Sequence, residues 1–282
     1  MTYPFGDADD DADEALVRAA NAGEHAALDR LVRRHQRWVF NLALRMLHDP
    51  EDAADASQEI MVKAIVGLSK FEGRSRFRTW LYQIAANHLL RRRRTPRSFQ
   101  GITFERFGAG LRDVPDAPVP RSRVPAELLV RESMVGCTTA MLLCLGPEQR
   151  LAFLIGDVFG ATDRVAAEIL QISPAAFRKR LSRARADLRA FLRGNCGLMD
   201  PANSCRCRKK THGFIRAGYV DAERLQFARQ HLDRVRDVVP ATIDALDEAH
   251  RDAARIFRDH AFYEGPDLAG KLGELLATVP TA

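Results

Sequence analysis

Long apolar runs are absent from this chain of 282 residues, although 46% of it is hydrophobic. No stretch approaches the ~20 residues that a membrane span needs. The start, MTYPFGDADDDADEA, has neither the basic nor the apolar region of a secretory signal. Cysteine is scarce as well: five residues, unevenly placed, do not form a secreted disulfide framework. There is no His/Glu general-base pairing and no open ligand set for a metal enzyme. These absences turn the expectation toward a cytoplasmic protein that is not an enzyme and does not insert in a membrane. What is present is charge, 28% of residues with a net +6, which favours an anionic partner such as nucleic acid.

The most informative stretch is Leu145 to Arg189, LGPEQRLAFLIGDVFGATDRVAAEILQISPAAFRKRLSRARADLR. Asp163 to Leu170 puts Ala166, Ile169 and Leu170 on one helical face. Gln171 and Ile172 break the pattern, Ser173 stands where an N-cap belongs, and Pro174 takes the first helical position. In the following helix Phe177, Leu181, Ala184, Leu188 and Phe191 form one apolar stripe. Ala175, Lys179, Ser182 and Arg183 project away from it, with Arg178 and Arg185 flanking. A helix–turn–helix needs this division, because its second helix buries one side and lays the other into a major groove. A bundle helix with a solvated basic face has the same pattern.

The elements LGPEQR, VAAEIL and ISPAAFRKRLSRARADL, with Arg183-Ala184-Arg185, resemble region four of the extracytoplasmic-function sigma factors of bacterial RNA polymerase, in the sigma-70 family. A second block, Asp52 to Arg94 (DAADASQEIMVKAIVGLSKFEGRSRFRTWLYQIAANHLLRRRR), is similar to region two of that family. The resemblance covers Ala15 to Arg193. One departure is Phe159-Gly160-Ala161-Thr162-Asp163-Arg164, which replaces the usual lead into the first helix and leaves its start open.

Within the second block, Glu51 to Leu68 reads as a helix burying Ile60, Met61, Ala64, Ile65 and Leu68. Asp52, Asp55, Glu59, Val62, Lys63 and Val66 lie opposite, and apolar residues among carboxylates suggest a protein contact. The resemblance implies attachment to the clamp of the polymerase core through this helix, with Asp55, Gln58 and Glu59 at typical positions. After it, Lys70 to Phe77 interleaves cations and aromatics, which suits single-stranded nucleic acid. The resemblance implies capture and melting of the minus-ten element by Arg74, Ser75, Arg76 and Phe77, whereas Trp80 and Leu81 have core spacing. The cluster Arg91 to Arg94 suits phosphate contact, with Arg91 and Arg92 as minus-ten candidates. In region four the resemblance implies minus-thirty-five reading by Ser173, Ala175, Arg178, Lys179, Ser182, Arg183 and Arg185.

The expected fold is all-α: two small helical domains, a flexible linker and a helical extension. Residues 1–14 read as an acidic disordered lead, 15–94 as region two, 95–125 as a Pro/Gly/Arg-rich linker without sustained period, and 126–193 as region four. Cys137 and Cys144 read as core thiols. In the extension, 194–282, Cys196, Cys205, Cys207 and His212 offer the donor set of a closed zinc site. A redox pair and incidental structural cysteines remain alternatives, the former because Arg206, Arg208, Lys209 and Lys210 would lower a thiol pKa. Val220 to Val238 and Ala241 to Tyr263 have helical period, and Asp267 to Ala277 suggests a last short helix.

As a function, this implies a dissociable promoter-specificity subunit whose partners are polymerase core and promoter DNA. DNA binding would need no cofactor, zinc being a structural or sensory candidate. An anti-sigma factor is a further candidate partner, and control through the extension is an open expectation. A repressor or activator using only the helix–turn–helix is the alternative, but it leaves Asp52 to Arg94 unexplained.

Overall fold

The computed structural model describes residues 5, 10–92, 102–225, 257 and 265–277. They are helical, and the one β-bridge among them joins Cys196 and Cys205. In chain order the helices are α1 (Asp10–Asn21), α2 (His25–Leu47), α3 (Pro50–Gly67), α4 (Phe77–Arg91), α5 (Phe104–Asp113), α6 (Ala126–Leu142), α7 (Pro147–Phe153), α8 (Asp163–Leu170), α9 (Pro174–Asn195), α10 (Cys207–Arg216) and α11 (Leu268–Ala277). None of the described helices is long and apolar enough to cross a membrane. Two compact units result, one from residues 1–97, 151–181 and 262–282, the other from 98–150 and 182–261.

In the first unit α2 is the central element, packed by α1, α3, α4 and α11. The sequence suggests a helix ending near Arg33 and another starting at Trp38. Instead the break falls at Gly23, whose φ of +95° suits glycine, and α2 runs unbroken through His35. The acidic lead is also not free chain from Asp10 onward. Asp13, in α1, is buried and lies 2.8 Å from Arg34, 3.1 Å from His35 and 3.5 Å from Arg78. Burial alone would raise its pKa, but His35, Arg34 and Arg78 hold it below the ordinary carboxylate value.

The helix α3 starts on a strong cap: Asp49 accepts from the backbone N–H groups of Glu51 (2.9 Å) and Asp52 (2.8 Å), with Pro50 at the first position. Its stripe buries Ile60, Met61, Ala64 and Leu68 as expected. The first helix of the helix–turn–helix, α8, packs on α4 within this same unit. Nearby, Phe159 and Tyr82 are fully buried with ring centroids 6.0 Å apart, and Trp38 lies 6.2 Å from Phe159. Apolar residues on these surfaces thus draw 151–181 toward 1–97. The last helix, α11, is capped by α2: Gln36 Oε1 accepts from the N–H groups of Leu268 (2.9 Å) and Ala269 (3.1 Å). Gly265 lies so close to Phe40 that a Cβ would fall 2.6 Å from its ring.

In the second unit, the stretch expected as a linker contains α5. Thr103 caps it, accepting from the Arg106 N–H at 3.2 Å. Phe104, Phe107 and Leu111 recur at helical spacing, and the two rings lie 5.3 and 5.7 Å from Phe191 of α9. Three apolar residues among Gly and Arg were enough for one turn-on-turn contact, a signal below what periodicity resolves in a Pro/Gly-rich background. Beyond it, Lys210 of α10 donates to Val114 O and lies 3.0 Å from Asp116, while the Ala117 N–H donates to Lys209 O at 3.0 Å. Of the expected hairpin, Val220 to Leu225 is not helical, and the rest lies outside the described residues apart from Phe257.

Candidate functional site

The helix–turn–helix forms where the sequence places it. Thr162 supplies the cap that the departure at 159–164 left open, its hydroxyl accepting from the Val165 N–H at 3.4 Å. Gly160 (φ +76°) makes the turn before it. Gln171 ends α8 in the left-handed region (φ 54°, ψ 44°), and Ser173 Oγ caps α9 by accepting from the Ala176 N–H at 3.1 Å. The stripe Phe177, Leu181, Ala184, Leu188 and Phe191 is buried. Ser173, Ala175, Arg178, Lys179, Ser182, Arg183 and Arg185 are all exposed. Burying one side of α9 therefore leaves a cationic and small-residue face on the other, the shape that enters a major groove. Arg178 lies 3.5 Å from Asp163, which orients it across the turn between the two helices.

On α3, Asp55, Glu59, Val62, Lys63 and Val66 are exposed and Asp52 and Gln58 half-exposed. Val66 is 73% exposed and Val62 39%, an unusual cost for aliphatic side chains on a helix otherwise well packed. The carboxylates are tied to the end of α4. Arg92 lies 3.2 Å from Asp52 and 4.0 Å from Glu59, and His88 Nε2 lies 3.8 Å from Glu59. Lys63 Nζ sits 2.6 Å from His88 Nδ1. Burial, then Lys63 and Arg92, lower the His88 pKa against the opposing pull of Glu59, so the neutral ring can accept from the Lys63 ammonium. Of the Arg91 to Arg94 cluster, Arg91 is exposed, Arg92 is engaged on α3, and Arg93 and Arg94 lie outside the described residues.

The loop before α4 sorts its residues by chemistry. Gly73 takes φ +69°, and the exposed Arg74 pairs with Glu72 at 3.0 Å. Ser75 is half-exposed, and the exposed Arg76 pairs with Asp10 of α1. Phe77, expected to touch a base, is instead buried as the first residue of α4, with ring centroids 5.4 Å from His35, 5.9 Å from Phe71 and 5.7 Å from Trp80. Four rings in one place form a better core than a stacking platform, so Phe77 anchors the loop and the cations remain for a ligand. Trp80 lies against Gly67, consistent with its expected structural role.

One residue of LGPEQR has a role that the sequence reading missed. Arg150 is buried, and its guanidinium donates to the carbonyls of Leu142 (2.9 Å), Leu143 (3.1 Å) and Leu145 (3.1 Å). It thereby satisfies the end of α6, and burial pulls its pKa down to about 10. A cation three residues after Pro147, following a helix end without glycine, is the signal that could have found it. In the extension, Cys196, Cys205, Cys207 and His212 are not gathered as a ready metal shell: no group of three or more His, Cys, Asp or Glu among the described residues is placed to hold an ion. His212 stands five residues after Cys207 on α10, about 140° around the helix, which turns it from the cysteine's face.

Comparison with known proteins identifies the family. Residues 31–98 match the model of sigma-70 region 2. The RNA polymerase sigma-H factor of Pseudomonas aeruginosa is 30% identical over 178 residues, 61% of this chain and 90% of that protein. The ECF RNA polymerase sigma factor SigM of Mycobacterium tuberculosis is 30% identical over 188 residues, 67% of this chain and 88% of its own. The RNA polymerase sigma factor NccH of Alcaligenes xylosoxydans xylosoxydans is 32% identical over 193 residues, 66% of this chain and 98% of its own. A solved structure, that of CnrH in complex with the cytosolic domain of CnrY, aligns at a TM-score of 0.46 and 24% identity over 65% of this chain and 98% of that one. The chain belongs to the extracytoplasmic-function sigma factors of the sigma-70 family, subunits that bind RNA polymerase core and give it promoter specificity.

Proposed function

We propose that the α3 face from Asp52 to Val66 docks on the polymerase core, that the Arg74–Arg76 loop with Arg91 engages the minus-ten element, and that α9 reads the minus-thirty-five element through Arg178, Lys179, Ser182 and Arg183. The observation that carries this is the division of α9 into a buried stripe and an exposed cationic face, set directly behind a capped helix and tight turn. The protein acts in the cytoplasm as a non-catalytic subunit, and DNA reading by these residues needs no cofactor. The docking of α11 on α2 through Gln36 supports control of activity by the extension. The test is run-off transcription with purified core polymerase on genomic fragments selected by the holoenzyme. Promoter-specific transcripts that vanish with Arg183→Ala plus Lys179→Ala support the reading; duplex binding as tight without core as with it would favour a repressor.

A further inference from the structure

Helices α3 and α4 are zipped together by alternating polar side chains. Asp52, Glu59 and Lys63 line one edge of α3, and His88 and Arg92 stand one turn apart at the end of α4. Arg92 lies 3.2 Å from Asp52 and 4.0 Å from Glu59, His88 Nε2 lies 3.8 Å from Glu59, and Lys63 Nζ lies 2.6 Å from His88 Nδ1. An ammonium can only donate, so His88 Nδ1 accepts and the ring proton stands on Nε2, toward Glu59. The His88 side chain is only 8% exposed, and its Nε2 is buried without a hydrogen bond. Glu59 and Lys63 are one helical turn apart with the glutamate first, the order that favours pairing with each other. Among the described residues no ion pair joins them, and each turns to α4 instead. A pairing between two exposed chains is weak, whereas a buried ring nitrogen left without a donor is costly.

We propose that His88 is a positioning residue for core docking: its ring holds Glu59 and Lys63 apart, so that α3 meets the polymerase core with an available carboxylate and an available ammonium instead of a self-neutralised pair. The inference rests on the docking role given above to the α3 face. The Lys63 ammonium uses one proton on His88 and keeps two for a partner. The Glu59 carboxylate, 56% exposed, lies beyond hydrogen-bond reach of both His88 and Arg92, so its oxygens remain open to a donor from the core. The matching patch on the core has a cation opposite Glu59 and an oxygen acceptor opposite Lys63. The exposed Val62, three residues after Glu59, places an apolar contact beside these charges. Holding the two long side chains in place before contact removes part of the ordering cost of binding. Burial first, then Lys63, favours the neutral ring that this arrangement needs, against the pull of Glu59.

The experiment measures the affinity of the fluorescently labelled full chain for purified core polymerase. His88→Leu fills the space of the ring without its nitrogens and should weaken core binding about tenfold, within the coupling that contacting residues show, at a nearly unchanged thermal midpoint. His88→Gln, which offers an acceptor to Lys63 and a donor toward Glu59, should recover most of that loss. In a chain already carrying Glu59→Gln and Lys63→Met, His88→Leu should have no further effect. An equal loss in both backgrounds means that the ring acts through the fold and overturns the positioning role. So does His88→Leu binding core like the unmodified chain, or His88→Gln binding as weakly as His88→Leu. Unchanged core affinity in the Glu59→Gln, Lys63→Met chain itself removes the docking face, and the inference with it. Reduced affinity there, with His88→Leu unaffected, keeps the face and overturns the part of His88 alone. If His88→Leu does not fold, the ring nitrogen shifts of the free chain decide by NMR. A single Nε2–H tautomer that becomes a mixture in Lys63→Met supports the contact, and the same spectrum in both chains overturns it.

Discussion

Arg92, the cap residue just past the end of α4, lies 3.2 Å from Asp52 on the first turn of α3. A cation of the minus-ten candidate set therefore neutralises a carboxylate of the core-binding set, so a change at Asp52 alters both at once. Asp55 avoids this difficulty, being exposed on the same face with no ion pair among the described residues. Asp55→Lys should abolish pull-down of core polymerase while leaving the thermal midpoint of the free chain within a degree or two, since isolated surface charges contribute ~0.5 kcal/mol or less. Pull-down at the unmodified level would remove the α3 face from the interface.

Arg183 is the sharpest test of groove reading, because it projects opposite the buried pair Leu181 and Ala184. If it reads a base edge, Arg183→Ala weakens holoenzyme binding by about 1–3 kcal/mol and relaxes preference at one position of the minus-thirty-five element. A loss equal across all sequences, with a shallower salt dependence, would make it a phosphate contact instead.

Phe77 and Arg74 separate anchoring from reading. Removing the buried ring should cost the fold about 3–5 kcal/mol, so Phe77→Ala lowers the midpoint of thermal unfolding before any promoter effect is seen. Arg74→Ala, in the exposed loop, should leave the midpoint unchanged and slow opening of the minus-ten region, followed by permanganate reactivity of unpaired thymines. Strong melting defects from both variants at unchanged stability would return Phe77 to the DNA.

Where periodicity and capping chemistry coincide, the sequence was enough. Asp163 to Leu170 and the stripe from Phe177 to Phe191 stand as read, because Ser173-Pro174 allows few alternatives to a helix start. The stretch around Phe77 misled for a physical reason: interleaved aromatics and cations describe a nucleic-acid loop and equally a loop whose rings turn inward while its cations stay wet. Only the placement of His35 and Phe71 decides between them. The acidic lead misled similarly, since charge density alone cannot show that Arg34, His35 and Arg78 wait on other helices to bury one of its carboxylates.

That buried carboxylate also sets an acid limit on the first unit. Asp13 is held below its ordinary pKa of 3.8, so the folded state binds its proton less readily than the unfolded chain does. The sign follows from linkage: its contribution is complete above the unfolded value and is lost as pH falls through the lower, folded one. Asp13→Asn should therefore destabilise the protein at neutral pH and flatten the loss of stability on acidification below about pH 4, where the unmodified carboxylate begins to take up its proton. Asp13→Ala should be costlier, by about 3–5 kcal/mol, because the buried Arg78 then loses the nearer of its two carboxylates, Asp10 lying at 3.9 Å. Urea midpoints of the three proteins between pH 3 and pH 7 provide the measurement. Parallel curves for wild type and Asp13→Asn would show that some other carboxylate governs acid unfolding, and that the buried charge of Asp13 adds little to stability.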